Sequence, residues 1–204
     1  MQVTLRGVGH RFKQGPWLFR GLETALRPGQ IYAVTGPSGS GKSTLLSLLA
    51  GWEEPVKGTI VREEITRIGW VFQNPHGAPH RSAADHVAFP LLAAGATLQQ
   101  ADAQALRLLS DFGLKHVAQR PFSSLSGGEA QRLMLARGIA ARPHLFLVDE
   151  PTAQLDLSTG QEVNRRINRL ATESTIVVVA THDERTVQAC TSRIDLRDYQ
   201  LGSS

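Results

Sequence analysis

The sequence predicts an α/β protein built on a mostly parallel sheet. Strand-sized apolar runs recur along the chain, "IYAV" at 31–34, "LFLV" at 145–148 and "IVVVA" at 176–180. Between them lie segments with helical spacing, such as "KSTLLSLLAG" and "SGGEAQRLMLARGIAAR". Strands that are apolar at every position need cover on both faces, and alternating helices supply it.

The elements follow in order. Residues 1–35 read as strands: "QVTLRGV" alternates, and "QIYAV" follows the turn signal Pro28-Gly29. A helix starts in the glycine-rich stretch at 36–44 and stops near Gly51. The stretch 58–73, "GTIVREEITRIGWVFQ", reads as a short hairpin. Residues 82–118 have helical periodicity, with Leu106, Leu109 and Leu114 among the apolar positions. The helix "SGGEAQRLMLARGIAAR" ends at Pro143, "LFLVDE" is a strand, and a helix over about 157–171 precedes "TIVVVAT" and a tail with strand character.

Composition bounds the function. A chain of 204 residues suits one domain with a subdomain. The balance of 22 basic against 18 acidic residues gives +4, scattered along the chain, so no nucleic-acid partner is expected. The one cysteine, Cys190, allows no internal disulfide and fits a reducing compartment. "MQVTLRGVGHRF" lacks the apolar core of a signal peptide, and no run approaches the ~18 apolar residues that span a bilayer.

Chemistry concentrates in a few stretches. "GPSGSGKST" matches the phosphate-loop pattern Gly36-x-x-x-x-Gly41-Lys42-Ser43, set after a strand and opening a helix. The plain alternative is a flexible glycine turn, and the strand–loop–helix setting counts against it. Glycines let backbone N–H groups turn inward around phosphates. Lys42 adds a point charge, the Ser43 hydroxyl coordinates magnesium, and the helix dipole favours anions. The whole loop, Gly36, Pro37, Ser38, Gly39, Ser40, Gly41, Lys42, Ser43 and Thr44, is expected around the phosphates of a nucleoside triphosphate. In "LFLVDE", Asp149 at the strand end is placed to hold the Mg2+ shell, and Glu150 to polarise the attacking water. Alone, a strand ending in Asp-Glu is usually a strand entering a turn.

At "LSGGEAQR", residues 125–132, the chain resembles the ATP-binding cassette (ABC) ATPases, whose signature is a Leu-Ser-Gly-Gly-Gln-like stretch opening a helix. Ser126, Gly127 and Gly128, with Glu129 where Gln is commoner, form a second anion site at a helix N-terminus. The resemblance implies that this site serves the nucleotide of a second copy, in a head-to-tail dimer. It also implies a P-loop NTPase fold with an N-terminal antiparallel β part and an inserted helical subdomain at about 76–142, between core segments 1–75 and 143–204. Other positions match in order. Gln73 matches the glutamine that senses Mg2+ and the γ-phosphate, and His182 the switch histidine that positions Glu150. "EPTAQLD" at 150–156 matches the loop that couples the two sites, with Ala153-Gln154 where Ser-Ala or Ser-Gly is usual. Phe12 sits where the family places an aromatic on adenine, with Trp17 as competitor. Near the end, Tyr199 follows Asp198 where relatives carry Gly, in a turn expected to need positive φ.

A cassette without membrane segments implies an ATPase subunit at the cytoplasmic face of the membrane, powering separate permease subunits. The Arg-Pro-x-x-x-Leu-Ser-Gly-Gly pattern at 120–128 is similar to importers and to the separate ATPases of macrolide-efflux and lipoprotein-release systems. "VVVATHDERTVQACTSRIDLRD" resembles the second group, which is placed first. An importer of metal or vitamin is second, favoured by the short 58–73 region, and a non-transport cassette third. The stretch "NPHGAPHRSAADHVAFP" is expected to meet a coupling helix of the membrane subunit, with His76, His80, Arg81 and His86 making a polar rim and Arg81 pairing with an acid or helix C-terminus.

Overall fold

The structure, a computed structural model, describes residues 1–153, 155–168 and 174–200. Two sheets organise it. Strands β1 (Gln2–His10), β2 (Phe19–Leu26) and β4 (Lys57–Glu63) form an antiparallel sheet in the order β2-β1-β4. Strands β3 (Ile31–Thr35), β5 (Ile68–Val71), β6 (Leu145–Asp149), β7 (Ile176–Ala180) and β8 (Ser192–Asp195) form a parallel sheet in the order β5-β6-β7-β3-β8.

Successive residues of a strand point to opposite faces, and here both faces are buried. Phe146 and Val148 of β6, with Val177 and Val179 of β7, join the core beneath the helices that follow β5. Leu145, Leu147, Ile176, Val178 and Ala180 face the other way, into a core shared with α1 (Lys42–Ala50) and the antiparallel sheet. Two-sided burial is why these strands read as unbroken apolar runs.

The helices over 83–140 are α2 (Ala83–Ala93), α3 (Leu98–Asp111) and α4 (Gly127–Ala140). Each begins with a reciprocal capping box: Ser82 with Asp85, Thr97 with Gln100, Ser126 with Glu129. Gly138 lets α4 lie against the sheet, because a Cβ there would sit 2.6 Å from the Phe146 ring. The last helices are α5 (Leu157–Asn168) and α6 (Glu184–Gln188). No helix among the described residues is long and apolar enough to cross a membrane.

The hairpin at 58–73 and the positive-φ turn at Tyr199 need correction, and the helical block is resolved into its parts. Residues 58–73 are not a hairpin: β4 pairs with β1, whereas β5 pairs in parallel with β6 in the other sheet. The connection at 64–67 has no tight-turn pair, and Glu64 turns the chain away with φ 59°. The 82–118 block is two helices, broken at Gly95 (φ 91°) and followed by a short 3-10 turn, Lys115–Val117. Leu109 and Leu114 are buried there, but Leu106 is exposed. Tyr199 ends a 3-10 turn, Leu196–Tyr199, without positive φ, because Asp195 caps the turn by accepting from Arg197 N–H. Gln154 and the expected helix end at 169–171 lie outside the described residues.

Candidate functional site

The parallel register brings three strand ends together. Val34 of β3 pairs with Ala180 of β7, which also pairs with Asp149 of β6. The segments leaving β3, β6 and β7 therefore meet at one edge of the sheet, the crevice where open α/β sheets bind ligands.

The loop after β3 is built for an anion. Gly36, Gly39 and Gly41 all have positive φ, and Gly41 begins α1 in the left-handed conformation with no side chain capping the helix. No acidic residue lies in the first turn of α1, unlike the carboxylate in the first turn of α2 and α4. The free N–H groups and the dipole thus point to an external acceptor. Lys42 Nζ folds back and donates to Gly36 O (3.0 Å) and Pro37 O (3.3 Å). Phe12, Leu18, Gly36, Pro37, Ser38, Gly39, Gly41, Lys42, Ser43, Thr44, Gln73, Asp149, Glu150 and His182 line one cavity of about 600 Å³. Ser40 does not line it. Its hydroxyl is buried behind the loop, against Gly36.

Asp149 is buried at the end of β6, and burial pushes its carboxyl above the usual range. The Ser43 hydroxyl, hydrogen-bonded to it, and the Lys42 charge oppose that shift; the neighbouring Glu150 charge adds to it. Glu150 holds an unusual backbone (φ 47°) while its N–H donates to Ala180 O at 2.8 Å. That conformation aims its carboxylate across to the β7 loop. There Oε2 accepts from Thr181 Oγ1 (3.2 Å) and His182 N–H (3.4 Å), and Oε1 accepts from His182 Nδ1 (2.7 Å). With Nδ1 so engaged, Nε2 of the exposed His182 ring is left for a ligand.

Phe12 is exposed at the rim of the cavity, edge-on to His10 with ring centroids 5.2 Å apart. Trp17 is used elsewhere: it lies between the guanidinium groups of Arg11 (4.9 Å) and Arg20 (5.4 Å). Gln73, two residues past the end of β5, lines the cavity. Thr181 and Leu18 were missed by the sequence reasoning. A hydroxyl between a buried strand and His182 was the available signal for Thr181; nothing marked Leu18.

The signature stretch does not join this cavity. Ser126 sits exposed at the start of α4, its Oγ accepting from Glu129 N–H (3.3 Å). Glu129 Oε2 accepts from Ser126 N–H (2.8 Å), a bond that helps hold this carboxyl below its usual range. Gly127 and Gly128 form the first turn beside them. The start of α4 is thus capped from within the chain, with Ser126 and Gly127 exposed. In the 150–156 loop, Asp156 accepts from Ser158 and Thr159 through backbone and hydroxyl groups, closing the first turn of α5.

On the face around α2, Arg81 is exposed and lines a cleft of about 420 Å³ with Phe89, Leu92 and Arg137. His76 lines a neighbouring cleft with Trp70 and Phe72, and His80 is exposed. His86 lines the same cleft as Arg81 but is not exposed at its rim. It is buried, with Nδ1 against Ser82 O (2.7 Å) and Nε2 accepting from Ala78 N–H (2.9 Å).

A family model described as ABC transporter matches residues 19–153. The chain belongs to the ABC transporter family. Its relatives include the lipoprotein-releasing system ATP-binding protein LolD of Legionella pneumophila (strain Paris), 36% identical over 191 residues, covering 82% of this chain and 81% of that one. LolD of Novosphingobium aromaticivorans is 39% identical over 203 residues, with 90% of each chain covered. Among solved structures, the dimeric ATP-binding cassette MJ0796, in a post-hydrolysis state bound to ADP and Pi, is 28% identical with a TM-score of 0.85. That match covers 95% of this chain and 94% of the cassette. The fold is the P-loop fold of ABC ATPases, and membership of the family implies ATP binding and hydrolysis. In this ABC transporter family member, residues 36–44, apart from Ser40, line one cavity with Asp149, Glu150 and His182, while Ser126, Gly127 and Gly128 lie on a separate turn at the start of α4.

Proposed function

We propose that the 600 Å³ cavity binds ATP with Mg2+, that Glu150 is the general base of hydrolysis, and that two copies close over two nucleotides. One observation carries the reading: the Glu150 carboxylate is fixed by Thr181 and His182 beside a helix N-terminus left without a cap. The residues present suit the ligand. The glycine cradle and the N–H groups of α1 accept phosphate oxygens, and Lys42 exchanges its two carbonyl partners for them. Phe12, standing free at the rim, stacks on the base.

The cation fits as well. Among the described residues no cluster of three or more His, Cys, Asp or Glu could hold a metal unaided. Ser43 and Asp149 would hold Mg2+ together with phosphate oxygens and water: the Ser43 hydroxyl is hydrogen-bonded to the buried Asp149 carboxyl, and both line the cavity. Bound Mg2+ supplies charge neutralisation to the leaving phosphate. Glu150 accepts the proton of the attacking water, His182 keeps the carboxylate aimed and offers Nε2, and Gln73 stands at the edge nearest the helical segment. Ser126, Gly127 and Gly128, with Glu129 bracing their turn, cap the nucleotide of the second copy, because their N–H groups do not reach this chain's own cavity.

The same reading divides the chain into a core, 1–75 and 143–204, and a helical subdomain at about 76–142 that meets the membrane subunit. The LolD relatives support a role in release, with the chain on the cytoplasmic face of the membrane beside separate permease subunits. Glu150→Gln tests the chemistry: MgATP binding is retained, while turnover falls by ~10²–10⁴-fold. Turnover near wild type in that variant would sink the assignment. Reconstitution with the membrane subunit tests the direction: ATP-dependent release of a lipoprotein is expected, and solute uptake in its place would move the chain to the importers.

A further inference from the structure

A second bridge runs beside the Glu150–His182 contact, two residues further along one loop and one along the other. Thr152 Oγ1 donates to Asp183 Oδ2 at 3.3 Å. It also lies 3.4 Å from Thr186 Oγ1. Thr186, 2% exposed, is paired with Asn164 of α5, which is 7% exposed. Asn164 Nδ2 donates to Thr186 Oγ1 at 3.0 Å, and the Thr186 hydroxyl is returned to Asn164 Oδ1 at 3.3 Å.

The proton count restricts this network. The Thr186 hydrogen is committed to Asn164, so toward Thr152 it can only accept. Thr152 has one hydrogen, and the carboxylate of Asp183 is the stronger acceptor. Asp183 is itself fixed by Arg185, through N–H at 3.1 Å and Nε at 3.0 Å. The loop after Glu150 is therefore tied to the loop that carries His182, and both are tied through a buried polar pair to α5. Buried polar pairs of this kind are costly to leave half-made, so they hold one arrangement.

From this we infer that Thr152 is a positioning residue for hydrolysis, holding the two loops at the spacing that lets His182 aim Glu150, with Asn164 and Thr186 as its anchor; the inference rests on Glu150 and His182 acting as proposed above. Thr152 touches no reacting group. It fixes the backbone between Glu150 and α5, so its loss lets the carboxylate drift while the phosphate loop remains intact.

The test uses the purified full chain with MgATP, comparing Thr152→Val, Thr152→Ser, Glu150→Gln and the double variant Thr152→Val/Glu150→Gln. Thr152→Val is expected to lower kcat about 10-fold or more, with affinity for a fluorescent ATP analogue changed by less than about twofold. Thr152→Ser, which keeps the hydroxyl, is expected to recover turnover to within about threefold of wild type. In the Glu150→Gln background the valine is expected to add no further loss, because both changes act on one carboxylate. Thr152→Ala gives the same pattern where valine disturbs folding. Wild-type kcat in Thr152→Val, equal impairment by valine and serine, or additive losses in the double variant each overturn the inference alone. Full turnover by Glu150→Gln overturns the assignment of the base and this inference with it.

Discussion

His182 Nδ1 lies 2.7 Å from Glu150 Oε1, with the carboxylate side chain 8% exposed and the imidazole 71% exposed. One partner is locked in the protein and the other stands at the mouth of the cavity. Under the proposed function, a ligand at the mouth would meet the ring before the carboxylate it holds.

His182→Ala should therefore leave ATP binding intact and reduce turnover. Thr181 and the His182 N–H still hold Oε2, so the loss should fall at the low end of the ~10²–10⁴-fold range for acid–base groups. Single-turnover hydrolysis beside equilibrium binding measures it. A variant with raised dissociation constant and unchanged kcat would place His182 in binding instead.

Dimer closure should need ATP. Light scattering of Glu150→Gln should report a dimer with MgATP and a monomer without it. Ser126→Arg should stay monomeric in both conditions while still binding one nucleotide per chain. A second copy is then excluded by bulk at an exposed turn, not by damage to the cavity, since Ser126 does not line it.

Asp149 gives a pH-dependent prediction. In the fold its pKa is raised above the ordinary aspartate value of 3.8, chiefly by burial. A carboxyl raised in the fold favours folding in its protonated form, and that favour is lost as pH rises through the folded value. Ligand-free Asp149→Asn should thus melt higher than wild type at neutral pH, with the difference closing as pH falls toward 3.8. Stabilisation by MgATP should be lost in the variant. Equal melting curves at every pH would show that burial of this carboxylate carries no cost.

Gly138→Ala should lower stability by about 1–3 kcal/mol, because the added methyl meets the Phe146 ring and neither helix nor strand can yield freely. Denaturant midpoints measure it, and an unchanged midpoint would mean the ring turns aside.

Arg81→Glu should weaken assembly with the membrane subunit, by ~2–5 kcal/mol if the guanidinium pairs with a partly buried acid there. ATP binding by the isolated chain should be unaffected, since Arg81 lies in a cleft with Phe89 and Arg137, apart from the nucleotide cavity. Wild-type co-purification and transport would reduce Arg81 to a surface charge.

The parts of the site that were legible in the sequence are those whose chemistry is local. A phosphate loop needs its glycines and lysine within nine residues, and a strand-end carboxylate needs only the strand. What required the structure depends on partners distant in sequence. Periodicity suggests strands at 58–73 without saying which sheet each joins, so a hairpin was expected where β4 and β5 part company. His86 looks solvent-facing in a polar stretch, but its ring closes the turn at Ala78 and Ser82. Phe12 and Trp17 could not be told apart by pattern; in the structure Phe12 lines the cavity, while Trp17 has Arg11 and Arg20 over its ring. Thr181 escaped notice because a threonine ending a β-branched run carries no distinguishing pattern.

The helix that opens at the phosphate loop is the one left without a cap where three later helices have capping boxes. Under the proposed function its first turn is completed by nucleotide, and a ligand at 100 times its dissociation constant adds about 2.7 kcal/mol to the folded state. No side chain at Gly41 can take that place, because its backbone is left-handed (φ 96°) and a Cβ there would meet Leu18 Cβ at 3.0 Å and the Phe19 ring at 3.1 Å.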